Sequence, residues 1–341
     1  YKYFGGVFMK KYKLAIVGVT GMVGHTFLKV LEQRILPISE LYFFASSRSA
    51  GKTIEFQGKE YIIEELTENS FDRGIDIALF SAGGSISKQY APIAVKKGCI
   101  VVDNSSAWRM DPSVPLVVPE VNPEDIKLHK GIIANPNCST IQAVVALKPL
   151  KDKYGIKRVV YSTYQAVSGA GMGGYNDLEN GLKGEAPKKF TYPIAGNLIP
   201  HIDVFEDNGY TKEEIKMIEE TRKILGDQNL RITATTVRVP VFNSHSESIN
   251  VELETPFEIE DLKNTLKKAP GIVVQDDPNN NLYPMPITAT GKDEVFVGRI
   301  RRDESVENGV NLWVVSDNIR KGAATNTVQI AQKLIEYLDK E

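Results

Sequence analysis

The chain has almost no cysteine: Cys99 and Cys138 are the only two in 341 residues. Two cysteines cannot make a disulfide framework, and their scarcity points to a reducing compartment, the cytoplasm. Histidine is nearly as sparse, with His25, His129, His201 and His245, and no metal site is expected. Long apolar runs are missing too. No stretch reaches the roughly 18 to 20 residues that a membrane-spanning helix needs, so no membrane partner is expected. Neither sign of charge dominates: the formal net charge is -2, no run of Lys and Arg is extended enough to hold a polyanion, and nucleic acid is not expected as a partner. What is present is a globular composition, 42% hydrophobic and 25% charged, in a chain long enough for two domains. The opening YKYFGGVF precedes Met9-Lys10-Lys11. It is too short for a secretory signal and its charges are wrongly ordered, so residues 1–8 are read as a leader or an expression remnant.

From Lys13 the chain reads KLAIVGVTGMVGHTFLKVLEQ. An apolar β-branched run ends at Val17, glycines follow at 18, 21 and 24, and Phe27, Leu28 and Leu31 recur at helical spacing. Strand, glycine turn and helix in that order make a dinucleotide cradle, with free amides at the helix N-terminus facing a pyrophosphate. The spacing is G-x-x-G-x-x-G rather than the commoner G-x-G-x-x-G, so this turn alone is a weak signal. The next strand, LYFFA, runs into SSRSAGK. A free ribose 2′-hydroxyl usually meets an acid there, whereas a 2′-phosphate calls for arginine and hydroxyl donors. No acid occupies positions 45 to 53, and Arg48 and Ser49 do, which favours NADP over NAD. IDIALFSAGG (75–84) reads as a buried strand, SKQYAPIAVKKG (87–98) as a helix stopped by Gly98, and CIVVDNSSAWRM (99–110) as a further strand. Cys99 opens that strand and reads as core, and Arg109 follows its polar end as a candidate anion clamp.

GIIANPNCST joins a strand to a helix, with Cys138 at the first helical turn. Free amides and the positive end of the helix dipole favour a thiolate there; the plain alternative is a small residue at a helix start. A thiolate needs a proton-handling partner. His245 lies after an alternating strand, Thr233 to Val239, in a polar turn, with Arg238 seven positions earlier. YSTYQAVSGAGMGG (161–174) reads as a strand meeting a glycine-rich loop, in which Gln165 can donate to a substrate oxygen and Ser168-Gly169 offer backbone to a nicotinamide. KEEIKMIEETRKILG (212–226) is an amphipathic helix, where Glu220 and Lys223 read by default as an i,i+3 ion pair. VELET, EVFVGRIRRD and NLWVVSDN suggest an antiparallel or mixed sheet, and GAATNTVQIAQKLIEYLDK a closing helix that returns to the first domain.

Taken in order, GVTGMVG, SSRSAGK, DNSSAWR, NPNCST, QAVSGAG, ETRKIL, RVPVFNSH and DNIRKGAA resemble the monofunctional, NADP-dependent aspartate-β-semialdehyde dehydrogenases over nearly the whole chain from Lys13. The resemblance implies an α/β fold: a Rossmann-type doubly wound parallel sheet (9–137 and 322–341) plus an α+β catalytic and dimerisation domain with a mixed sheet (138–321). It implies Cys138 as nucleophile and His245 as acid/base. Asn137, Gln165, Glu220 and Arg238 match substrate-binding positions, and Arg109 and Lys223 match phosphate contacts. Thr20, Gly21, Met22, Val23, Arg48, Ser49, Ser168, Gly169 and Asn318 match NADP(H) contacts. The implied reaction is reversible NADPH-dependent reduction of L-aspartyl-4-phosphate to L-aspartate-4-semialdehyde and phosphate, through a thioacyl enzyme, in lysine, threonine, methionine and isoleucine biosynthesis. The implied assembly is a homodimer, in some members within a tetramer. N-acetyl-γ-glutamyl-phosphate reductase and malonyl-CoA reductase are rival enzymes, a cysteine hydrolase lacks need of the dinucleotide turn, and a catalytically silent relative is expected to lack Cys138 or His245.

Overall fold

A computed structural model describes residues 10–340; the segment 1–8 lies outside them. The described residues divide into two compact units, one of residues 10–119, 123–135 and 326–340, the other of 120–122 and 136–325.

The first unit is built on six parallel strands. β1 (Tyr12–Val17), β2 (Ile38–Ala45), β5 (Glu64–Glu65), β6 (Ile77–Phe80), β7 (Ile100–Asp103) and β8 (Ile132–Ala134) lie in the order β5-β2-β1-β6-β7-β8. β1, β6 and β7 are near-continuous apolar runs, as strands covered on both faces must be. Helices α1 (Met22–Gln33) and α2 (Gly84–Lys96) flank them. Phe44, Phe71 and Phe80 pack ring to ring beneath α2, each contributing about 1.5–3 kcal/mol of burial. The strand order reverses between β1 and β6, and in such sheets ligands bind at the carboxyl ends of that pair. Gly18 leaves β1 at φ +87°, and a Cβ there would lie 2.3 Å from the Ser81 carbonyl oxygen; a Cβ on Gly24 would meet the Gly18 oxygen at 2.2 Å. Both glycines are therefore dictated by close backbone approach.

Two features of this unit were not read in the sequence. A hairpin, β3 (Thr53–Phe56) and β4 (Lys59–Ile62), turns on Gln57 and Gly58, both at positive φ, the geometry of a type I′ turn. Helix α2 starts at Gly84, three residues before the expected 87. The final helix, α8 (Thr325–Leu338), serves this unit through Asn326, whose Nδ2 donates to Asn135 Oδ1 (2.7 Å) and to the Val117 carbonyl (3.0 Å).

The second unit has a mixed six-stranded sheet. Its strands are β9 (Ile156–Gln165), β10 (Arg231–Arg238), β11 (His245–Leu253), β12 (Ile272–Val274), β13 (Val295–Asp303) and β14 (Gly309–Ser316), in the order β10-β9-β11-β14-β13-β12. The outer pairs are parallel and the central ones antiparallel. Helices α3 (Cys138–Tyr154), α5 (Lys212–Leu225) and α6 (Ile259–Lys268) pack on one another and on the sheet. α3 is buried continuously from Ser139 to Leu147, so it is a core helix rather than an amphipathic one. α5 opens on a complete capping box, Thr211 with Glu214, and stops at Gly226 in the left-handed region. The glycine-rich end of 161–174, expected as a loop, is a 3₁₀ turn (Val167–Ala170) followed by the start of α4 (Gly171–Gly181). A short helix, α7 (Pro286–Ala289), precedes β13.

Candidate active site

The first helical residue of α3 is Cys138, with Asn137 as its N-cap. Its sulfur lies at the end where the backbone N–H groups have no partner within the helix. α5 fixes this end. The Asn137 N–H donates to Glu220 Oε2 (2.8 Å) and its side-chain Nδ2 to Glu213 Oε1 (2.9 Å). Cys138 Sγ is 3.2 Å from His245 Nε2 and 3.8 Å from Asn137 Oδ1.

His245 is not in a polar turn. It is the fully buried first residue of β11. Ser244 takes φ +75°, which redirects the chain inward, and its N–H is satisfied by Asn318 Oδ1 at 2.8 Å. A left-handed serine leaves no sequence signal, and such strain gathers at functional sites. The imidazole is held at its far nitrogen, where Nδ1 accepts the Ala166 N–H at 3.0 Å. An Nδ1 that accepts cannot carry a proton, so the single proton of the ring sits on Nε2 and faces the sulfur. Burial, and then the neighbouring Arg238 guanidinium, hold His245 well below its usual 6.5. Both act with the tautomer to keep the ring neutral.

The same peptide couples to Arg238, whose Nη1 donates to the Ala166 carbonyl at 2.7 Å. Arg238 is 5% exposed and stands over the Phe190 ring, and its Nε has no protein partner. Burial draws its pKa down, against the Glu213 carboxylate. Gln165 sits beside it in register on β9, with Oε1 accepting from Thr163 Oγ1 (2.9 Å) and Nε2 donating to Glu213 Oε1 (3.1 Å). Glu213 is thus a centre of the site that sequence reading missed. Burial pushes its carboxyl up, but Lys216, the Asn137 and Gln165 amides and Arg238 outweigh this and leave it below the usual range. The available signal was spacing: Glu213 and Glu220 are seven apart, two turns along one face of α5.

Ser168, Gly169 and Asn318 border this cluster. Asn318 Nδ2 donates to Ser168 Oγ at 3.0 Å. A Cβ on Gly169 would lie 2.9 Å from Arg238 Nη1 and 3.2 Å from His245 Nε2. On the other side a π-helical turn, Arg320–Ala324, brings Gly322 so close that a Cβ there would be 2.8 Å from Cys138 Cβ. Both glycines leave space beside the reactive atoms. Lys223, half-buried, follows Glu220 by one turn of α5; Glu220 itself meets Asn137, a contact that the ion-pair expectation did not include.

The remaining candidates lie in the first unit. Arg109 is buried there, its Nε donating to the Asn135 carbonyl at 2.9 Å. Thr20 and Gly21 form the turn after β1, Met22 and Val23 open α1, and Arg48 is exposed with Ser49 in the turn after β2. Cys99 is a contrasting thiol: fully buried, its pKa pushed up by desolvation, it has no access to chemistry. Among the described residues no group of His, Cys, Asp and Glu is arranged to hold a metal ion.

Residues 13–129 match the family described as semialdehyde dehydrogenase, NAD binding domain, and residues 147–321 the semialdehyde dehydrogenase dimerisation domain. An aspartate-semialdehyde dehydrogenase of Aquifex aeolicus (strain VF5) is 63% identical over 335 residues, covering 95% of this chain and 98% of that protein. The crystal structure of aspartate semialdehyde dehydrogenase II complexed with ASA from Vibrio cholerae superposes with a TM-score of 0.92 at 48% identity, covering 96% of this chain and 99% of that one. The Candida albicans enzyme, solved with NADP, superposes at 0.77 with 26% identity, covering 96% and 99% of the two chains. A Rossmann-type parallel sheet, a mixed-sheet dimerisation domain and near-full-length identity place this chain in the aspartate-semialdehyde dehydrogenase family of oxidoreductases.

Proposed function

We propose that Cys138 and His245 carry out the reaction of this family on L-aspartyl-4-phosphate, giving L-aspartate-4-semialdehyde and phosphate, reversibly, in amino-acid biosynthesis. The observation that carries the reading is the 3.2 Å approach of Cys138 Sγ to His245 Nε2, with Nδ1 engaged by the Ala166 N–H. The sulfur attacks the acyl carbon and the phosphate leaves with the bonding pair, giving a thioester. When bound, NADPH supplies the hydride that reduces that carbon. The oxygen that gains negative charge receives a hydrogen bond from His245 Nε2, and collapse returns an electron pair to sulfur. A thioester is open to hydride where a carboxylate is not, which is why the cysteine is needed.

Arg238 binds the substrate carboxylate and Glu220 its amine. Gln165, with a second amide hydrogen beyond the one given to Glu213, orients the carbonyl. Asn137 holds the nucleophile's helix end, and Lys223, one turn beyond Glu220 on α5, binds the phosphate. Two carboxylates, Glu213 and Glu220, beside the nucleophile suit a free amine, which favours this substrate over an acetylated one. In the first unit Thr20–Val23, Arg48 and Ser49 would hold NADP(H); within the second unit Ser168, Gly169 and Asn318 border the reactive pair, where a nicotinamide would lie. The glycine cradle of Gly18 and Gly24 and the exposed Arg48 fit a dinucleotide with a 2′-phosphate. Arg48→Ala is expected to weaken NADP binding on the order of tenfold, the worth of a charge-assisted hydrogen bond, while NAD binding shifts less than about twofold. Calorimetric titration with both nucleotides checks this, and equal losses would remove Arg48 from the 2′-phosphate.

The cofactor domain spans 9–137 and 322–341 and the catalytic domain 138–321. The protein is a homodimer formed through the second sheet, whose face away from α3 carries the Tyr164 and Trp313 rings, 5.5 Å apart. It works in the cytoplasm, where both thiols stay reduced. No helix among the described residues is long and apolar enough to cross a membrane.

A further inference from the structure

The proposed chemistry draws on one row of the second sheet. In-register neighbours on adjacent strands point to the same face. The register of β9, β10 and β11 therefore sets His245, Gln165 and Arg238 in one row and Glu247, Thr163 and Thr236 in the next, with Ile249, Tyr161 and Ala234 in the third. The third row is largely apolar, but the middle one is not. Glu247 is fully buried, and neither of its carboxyl oxygens has a hydrogen-bond partner in the protein. Thr236 Oγ1 at the other end of the row, and Gln142 Oε1 on α3, are likewise buried and unpartnered. Leaving a carboxyl so is among the most costly arrangements a core can contain. Folded proteins retain buried polar groups of this kind where ordered water satisfies them.

Gln142 connects this row to the chemistry. It lies one turn after Cys138 on α3, and its Nε2 donates to the carbonyls of His245 and Val314, each at 3.2 Å. Val314 is the register partner of Glu247. The amide that holds the His245 main chain thus has its own acceptor oxygen unused, and it lies over the strand pair that carries Glu247. The titratable groups that act on Glu247 are Glu213 from α5 and Tyr161 from β9, with His245 and Arg238 in the next row of the sheet; its α3 and β14 neighbours, Gln142 and Val314, carry no charge. Burial, and then the Glu213 carboxylate, hold Glu247 well above the usual carboxylate range, so its O–H is retained as a donor.

We propose that Glu247 is a positioning residue for His245: its carboxyl O–H, relayed by water, donates to Gln142 Oε1 and fixes the amide that holds the His245 carbonyl. The proposal rests on His245 being the partner of Cys138. In the full-length protein carrying carbonyl-¹³C glutamate side chains, with Glu247→Gln identifying the resonance, Glu247 is expected at the protonated-acid position at neutral pH. Glu247→Gln keeps a donor and is expected to hold kcat within about threefold of wild type. Glu247→Leu keeps volume without a donor and is expected to lose kcat on the order of tenfold with KM little changed, the worth of one hydrogen bond. A carboxylate resonance at neutral pH, a wild-type kcat in Glu247→Leu, or a Glu247→Gln as slow as the leucine variant would each overturn the role. If Glu247→Leu does not fold, the resonance and the glutamine variant decide. A near-normal rate for His245→Asn would instead overturn the reading of His245, whatever Glu247 does.

Discussion

Cys138→Ala is expected to lower kcat for phosphate-dependent oxidation of L-aspartate semialdehyde by about 10⁴-fold or more, as loss of a covalent nucleophile does in other enzymes. The fold is expected to tolerate the change. Cys138 is only partly buried, alanine is the best helix former, and the hydrogen bonds that fix this helix end run through Asn137, Glu213 and Glu220. Thermal unfolding should therefore shift little while activity disappears. Cys138→Ser should fail nearly as badly, since the helix end can stabilise a thiolate but not an alkoxide at neutral pH. A Cys138→Ala protein with measurable steady-state turnover would remove the thioester route.

His245→Asn is expected to lower kcat by about 10²–10⁴-fold with little change in KM, the range for loss of a positioned proton-handling group. Asparagine can still meet the Ala166 N–H, but it cannot place a donor against both the sulfur and the substrate oxygen. The pH profile separates this from a folding defect. Burial and Arg238 depress the wild-type imidazole, so the neutral ring persists below 6.5 and the acid limb of kcat should lie beneath that value. Stability carries the same sign. Below 6.5 the unfolded chain takes up a proton at His245 that the folded chain refuses, so this group costs stability increasingly as pH falls toward its depressed folded value. His245→Asn should lose that acid-side penalty. An acid limb at or above 6.5 in the wild type would contradict the buried, neutral assignment.

The first unit was largely legible because its signals are local. Apolar runs, glycines at 18, 21 and 24, and the absence of acid after LYFFA each lie within one strand–turn–helix segment. The second unit is harder for a physical reason. Cys138 and His245 are 107 positions apart, and their meeting depends on α3, β9 and β11 packing together, which no short window records. Sequence pattern put His245 in an exposed turn because FNSHSES looks polar, whereas the left-handed Ser244 turns it into the core. Glu213 was passed over because an acid in the first turn of a helix has a sufficient local explanation, although its oxygen receives both the Asn137 and the Gln165 amides. Glu247 was passed over because HSES reads as a polar turn, although in HSESINVEL it shares the phase of Ile249, Val251 and Leu253, the fully covered face of β11.

The most direct measurement is a single-turnover experiment without phosphate. Wild-type protein mixed with L-aspartate semialdehyde and NADP should give a burst of NADPH stoichiometric with active sites and then stop. Intact-mass and peptide mapping should find an aspartyl adduct on Cys138, and added phosphate should discharge it and restore turnover. Steady turnover with no burst and no adduct, or an adduct on any other residue, would contradict the thioacyl route through Cys138.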